Sequence, residues 1–88
     1  MFKIVYHPFV VRDDIPKLSN EWKRKVCRAI EERLTTRPDF YGKPLRRSLK
    51  GYRKLRVGDW RVIFKIEKSR VMILVIQHRS AVYKRIEK

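Results

Sequence analysis

The chain has one cysteine, three glycines and no long apolar run in its 88 residues. A single cysteine, Cys27, excludes an internal disulfide and any metal site built from several thiolates. No segment approaches the ~20 apolar residues that a membrane helix needs, and no N-terminal stretch has the pattern of a secretory signal. The chain is therefore expected to work in the cytoplasm, away from membranes. No second histidine, cysteine or paired carboxylate falls at metal-ligand spacing near His7, and neither a metal nor another cofactor is expected. Acid is scarce too: 9 Asp and Glu stand against 24 Lys and Arg, a net charge of +15. Residues 1–40 carry a net +3 and residues 41–88 a net +12. Such an excess points to a polyanionic partner that meets the C-terminal half.

What is present suffices for a fold. Apolar residues make up 43% of the sequence. That is enough for one domain, residues 1–88, around one small core. Phe2-Lys3-Ile4-Val5-Tyr6 alternates and is rich in β-branched and aromatic side chains, which predicts a strand ended by His7-Pro8. Residues 9–16 predict a short helix. Ser19 or Asn20 caps a longer one reaching about Thr35, with Trp22, Val26, Ala29, Ile30 and Leu34 as its apolar stripe and Cys27 beside it. Arg37-Pro38-Asp39 closes that helix. Residues 39–51 read as a connection, with a helical turn expected around Leu45 to Leu49. Strands follow at about 52–57, 60–67 and 71–78, and residues 80–87 predict a last helical turn. The order β-α-α-β-β-β predicts an α+β fold, with helices on one face of a small, mainly antiparallel twisted sheet.

The strands carry an unusual load of cations. Gly58-Asp59 suits a two-residue hairpin turn with glycine first. That turn sets Val57 opposite Trp60, Arg56 opposite Arg61, Leu55 opposite Val62 and Lys54 opposite Ile63. Alternation then gives one face to Leu55, Val57, Trp60, Val62 and Phe64, and the other to Lys54, Arg56, Arg61 and Lys65. Two arginines directly across a ladder repel by roughly 0.2–1 kcal/mol. A bound phosphate compensates, because guanidinium groups grip its oxygens in bidentate fashion. With an even loop such as Glu67-Lys68-Ser69-Arg70, Arg61 pairs with Ile76 and His78 joins the cationic face; an odd loop turns His78 to the core side. Arg79 and Tyr83 follow the strand, within reach of the same pocket.

This set permits RNA cleavage without a metal. A ribose 2′-OH attacks its own 3′-phosphate, which needs a base, an acid for the 5′-oxygen and cations for the developing charge. Histidine fits either proton role. A lysine crowded by arginines has its charged form disfavoured and fits a base. No carboxylate lies on this face, and Asp59 serves the turn. Each residue also has a plainer reading: Arg56 and Arg61 as solvated strand positions, His78 as a strand end, Tyr83 as packing for the C-terminal turn. Trp22, Trp60 and Phe64 read as core, not as stacking platforms.

At these residues the chain resembles the RelE/ParE superfamily of prokaryotic toxins. The resemblance runs nearly end to end. It takes in Phe2 to Tyr6, the long helix and Pro44-Leu45-Arg46-Arg47-Ser48-Leu49-Lys50-Gly51, is sharpest from Tyr52 to Phe64, and ends in His78-Arg79-x-x-Val82-Tyr83. It implies a toxin that cleaves mRNA in the ribosomal A site and inhibits translation. The implied partners are the ribosome with its rRNA, the mRNA, and a cognate antitoxin. It implies a catalytic set of Lys54, Arg61, His78, Arg79 and Tyr83, with Arg53, Lys54, Arg56, Arg61, Lys65 and Arg79 holding phosphate. A family lysine two positions before Lys54 is replaced by Tyr52. Two other classes remain: a ParE-like inhibitor of DNA gyrase, which shares the scaffold without the assembled cationic site, and a nucleic-acid-binding module with no activity.

Overall fold

The computed structural model describes residues 1–45 and 51–80. The helical turn expected near Leu45 to Leu49 and the one expected over 80–87 fall largely outside them. Strand β1 is Lys3–Tyr6. A wide turn over Val10–Asp14 and a tight one over Ile15–Lys17 lead into helix α1, Asn20–Ala29, which continues as a wider coil over Ile30–Leu34. Short helix α2 is Pro38–Tyr41, and β2 is only Lys43–Pro44. Strands β3, β4 and β5 are Tyr52–Val57, Trp60–Glu67 and Arg70–His78.

Local chemistry explains most boundaries. Ser19 is extended, and its hydroxyl accepts the Trp22 N–H at 3.3 Å, so it is the N-cap of α1. Pro16 lies in the first turn of its tight helix, where a missing N–H costs nothing. His7 closes β1 through its side chain, whose Nδ1 accepts the Phe9 N–H at 3.1 Å. Gly58 has φ +61° and Asp59 does not have a positive φ, which is the pattern of a type II′ turn. The Gly58 Cα also lies under the Trp22 indole, so a methyl group there would strike the ring.

The sheet order is β1-β5-β4-β3-β2. β1 runs parallel to β5, and the remaining pairs are antiparallel, so the five-stranded sheet is mixed. The helices cover one face. Val10, Leu18, Val26, Ala29, Ile30 and Leu34 pack there on Leu55, Val62, Phe64, Val71, Ile73 and Ile76. Gly42 lies against the Phe64 ring with no room for a Cβ. The opposite face has a second, smaller cluster: Ile63 and Val75, with Leu45, Tyr52 and Leu74 packed on it.

The β4–β5 ladder breaks between Ile63 and Phe64. Ile63 pairs with Val75 but Phe64 with Ile73, which leaves Leu74 without a partner across the ladder. This is a β-bulge. Asp14 serves this region. It is fully buried, and its Oδ2 accepts the Ile76 N–H at 2.9 Å. β1 ends its pairing at Ile73, so the carboxylate takes over where the neighbouring strand stops. Asp14→Ala is expected to orphan that buried N–H and to cost about 1–3 kcal/mol. A urea melt measures the loss, and faster hydrogen exchange at the Ile76 amide localises it.

Lys68 opens the β4–β5 turn with φ +56°, a left-handed conformation in which a side chain is strained. It is exposed at the tip. Lys68→Gly is expected to relieve that strain and raise stability by roughly 0.5–1 kcal/mol, after the entropic cost of glycine in the unfolded chain is deducted. An unchanged denaturation midpoint would contradict this.

Candidate active site

The β3–β4 hairpin has the register its turn implies: Val57 opposite Trp60, Arg56 opposite Arg61, Leu55 opposite Val62 and Lys54 opposite Ile63. Alternation therefore puts Lys54, Arg56, Arg61 and Lys65 on the face away from the helices. These cations surround an apolar patch instead of forming a uniform sheet of charge, because Ile63, Val75, Leu45, Leu74 and Tyr52 fill the centre of that face. Tyr52 is directly across from Lys65, whose Nζ is 5.8 Å from the ring centroid.

The four cations differ in exposure. Arg56 is exposed, whereas Lys54 and Lys65 are half-buried. Arg61 is only 7% exposed. Its Nη1 donates to the carbonyls of Gly58 at 2.9 Å and Trp60 at 3.1 Å. A planar guanidinium held in this way has fewer orientations to lose when it binds an anion. The same contacts give Arg61 a structural duty that a freely solvated strand position would not have.

Three expectations need correction. Arg61 does not pair with Ile76; it pairs with Gln77. The turn after β4 is even, with Glu67 opposite Arg70 as expected, but the bulge at Leu74 advances the rest of β5 by one residue. His78 consequently leaves the cationic face. It is opposite Trp60 on the other side, edge-on to the indole at 5.7 Å between centroids, and its Nδ1 is 3.2 Å from the Ser80 hydroxyl. Arg53 is likewise on the helix side. Its Nη1 donates to the carbonyls of Gly42 at 3.0 Å and Asp39 at 3.3 Å, fastening β3 to the corner after α2. Strand alternation places Arg53 opposite Phe64, among the core residues.

Arg79 is at the turn end of the hairpin. Its N–H donates to the Asp59 carbonyl at 2.8 Å, and its side chain is exposed. Tyr83 lies outside the described residues. The cations thus brought together are Lys54, Arg56, Arg61 and Lys65, with Arg79 at one end. Arg33 and Lys43 were not among the expected residues, yet both join Lys54 and Arg56 around a small cavity at the edge of β3. Arg33 belongs to the charged side of a helix and Lys43 to a connection, so neither carries a local signal of this meeting.

The clearest displaced titrations among the described residues lie elsewhere. Burial pushes the Tyr6 hydroxyl up, and the nearby Cys27 and Glu31 add to the effect. Burial also raises the Cys27 thiol, again with help from Glu31. A thiol kept protonated is a poor nucleophile. On the solvated side of the helix, Lys25 holds the Glu21 carboxyl below its ordinary value and Glu32 raises the Arg28 guanidinium. No group of three or more His, Cys, Asp or Glu among the described residues is placed to hold a metal ion. No helix among them is long and apolar enough to cross a membrane.

Comparison with known proteins bears on the family and the fold. The family model described as ParE toxin of type II toxin-antitoxin system, parDE, matches residues 10–83. Toxin RelG of Mycobacterium tuberculosis is 36% identical over 76 residues, covering 84% of this chain and 87% of that protein. Toxin RelE of the same organism is 43% identical over 53 residues, covering 58% of this chain and 55% of that one. The RelBE2 toxin–antitoxin complex of M. tuberculosis contains a chain that superposes with a TM-score of 0.81 at 30% identity, covering 89% of this chain and 98% of that chain. A chain of the RelB–RelE complex of Methanococcus jannaschii shares the fold, with a TM-score of 0.70 at 15% identity and coverage of 93% and 98%.

Proposed function

This chain belongs to the RelE/ParE superfamily of type II toxins, and from that premise we propose that it is a metal-independent endoribonuclease that cuts mRNA in the ribosomal A site. The observation that carries the reading is the facing pair Arg56 and Arg61, flanked on the same face by Lys54 and Lys65. Like charges are brought together there at a cost to the fold, and a phosphodiester offsets that cost.

The reaction is a transesterification. The 2′-oxygen forms a bond to its own 3′-phosphorus and the bond from phosphorus to the 5′-oxygen breaks, leaving a 2′,3′-cyclic phosphate and a 5′-OH. Lys54, central on the face, takes the 2′-proton. Arg56 and Arg61 hold the nonbridging oxygens as their charge grows. The 5′-oxygen needs a proton as it leaves, and Tyr83 is the acid that the family resemblance implies. Lys65, held over Tyr52, supplies a cation beside the position where the family resemblance implies a lysine. His78 has no part in the step, because it is on the opposite face.

A cognate antitoxin completes the system. The similar structures from M. tuberculosis and M. jannaschii described above are both toxin–antitoxin complexes. A net charge of +15 favours an antitoxin segment rich in acid.

Primer extension on mRNA from cells expressing the chain, with and without active translation, tests the activity. Cuts that appear only during translation are expected. The family model that matches is that of ParE toxin, which supports a second reading as a gyrase inhibitor. Intact mRNA together with inhibited supercoiling by purified gyrase would establish that one instead.

A further inference from the structure

A second cationic feature lies next to the proposed catalytic face. β2 pairs only with Arg53 and Lys54, so β3 has no strand partner on its outer edge from Leu55 to Val57 among the described residues. A cavity of about 140 Å³ opens at that edge, lined by Arg33, Tyr41, Lys43, Lys54, Leu55 and Arg56. Four of the six are cations and none is acidic. Lys43 is directly opposite Lys54 in the ladder, so like charges face each other here as well. Tyr41 is 41% exposed, with the Arg33 guanidinium 5.9 Å from its ring centroid.

We infer that Arg33, Tyr41, Lys43 and Arg56 form a second nucleotide site for single-stranded RNA, adjoining the scissile-phosphate site at Lys54. The chemistry of the lining carries this. Sites that hold a single strand combine cations for the backbone with an aromatic face on which a base stacks. The volume is well below the ~300–1,000 Å³ of a pocket that engulfs a whole ligand. It suits a phosphate and adjoining ribose atoms, while the base stacks outside on the exposed tyrosine. Lys54 and Arg56 are shared between this cavity and the cationic face, so one continuous strand passes from one to the other. The inference rests on the ribonuclease reading.

The test uses a fluorescent 2′-O-methyl hexanucleotide, which cannot be cut because its 2′-oxygen has no proton to lose. Binding to the wild-type chain is followed by anisotropy over a range of salt. The double variant Arg33→Ala/Lys43→Ala is expected to bind about 10-fold more weakly, and the slope of log K against log salt is expected to fall by about 1.4. Tyr41→Leu is expected to weaken binding about 5-fold or more at unchanged slope, with Tyr41→Trp restoring it. All these side chains are exposed, and circular dichroism checks that the variants stay folded. If the double variant keeps wild-type affinity and slope while Lys54→Ala weakens binding, the second site is wrong and the ribonuclease reading stands. If the wild type does not bind the hexanucleotide, the second site is overturned, and the primer-extension result decides the ribonuclease reading separately. If polyglutamate competes as well as RNA and Tyr41→Leu changes nothing, the cavity is a general anion site and the inference is overturned.

Discussion

Replacing Val62 by aspartate is expected to leave the chain unfolded. Val62 has no exposed surface and lies in the helix-side core, opposite Leu55 on β3 and Ile76 on β5. Two losses combine. Burial of a valine side chain is worth roughly 1.5–3 kcal/mol. An unpaired carboxylate in its place adds a desolvation penalty of several kcal/mol, or must take up a proton and still lack partners. A domain of this size has about 5–15 kcal/mol in hand, and a small one sits at the low end. The sum removes most or all of that margin. Circular dichroism and urea titration of the purified variant check it. A soluble V62D protein with a cooperative transition would mean that the helix-facing side of β4 is not the one described.

Arg61→Ala is expected to abolish growth arrest, with cleavage falling about 10²–10³-fold, the usual cost of removing a donor aimed at developing negative charge. Arg61 also has a part in the fold. It is buried and bonds the carbonyls of Gly58 and Trp60, so its removal costs stability as well, of the order of 1.5–3 kcal/mol for a charged donor. Loss of activity alone would therefore be ambiguous. Arg61→Lys keeps a positive charge near those carbonyls but lacks the planar fork, so it is expected to recover much of the stability and little of the activity. Arg56→Ala removes an exposed cation that faces Arg61. It is expected to lower activity without loss of stability, because the repulsion across the pair disappears with it. Growth at equal expression and urea midpoints of the three variants separate the two roles. Full toxicity of R61A would reject the site.

The hairpin was legible because its determinants are neighbours in the chain. Gly58 supplies the positive φ, the two-residue turn sets the pairing, and period-two alternation assigns each side chain of 52–66 to a face. The α1 boundary was legible for the same reason, through Ser19 and the stripe from Trp22 to Leu34. The place of Arg53 follows from that same alternation, which puts it on the face of Leu55 and away from the other cations. His78 was different. Its face depends on a bulge inside Met72-Ile73-Leu74-Val75-Ile76, an unbroken apolar run in which no alternation marks the extra residue.

Amino-acid order alone, then, determined the elements, the turn geometry and the assembly of arginine and lysine on one side of a ribbon, since these depend on contacts a few residues apart. Packing decided the rest. The extra residue in β5, the burial of Arg61, the Asp14 carboxylate bonded to an amide 62 positions away and the meeting of Arg33 with Lys43 at the edge of β3 all require distant segments to compete for the same space. Backbone groups left unpaired at a strand's end, and side chains that must fill a core without voids, impose constraints that no short window of sequence records.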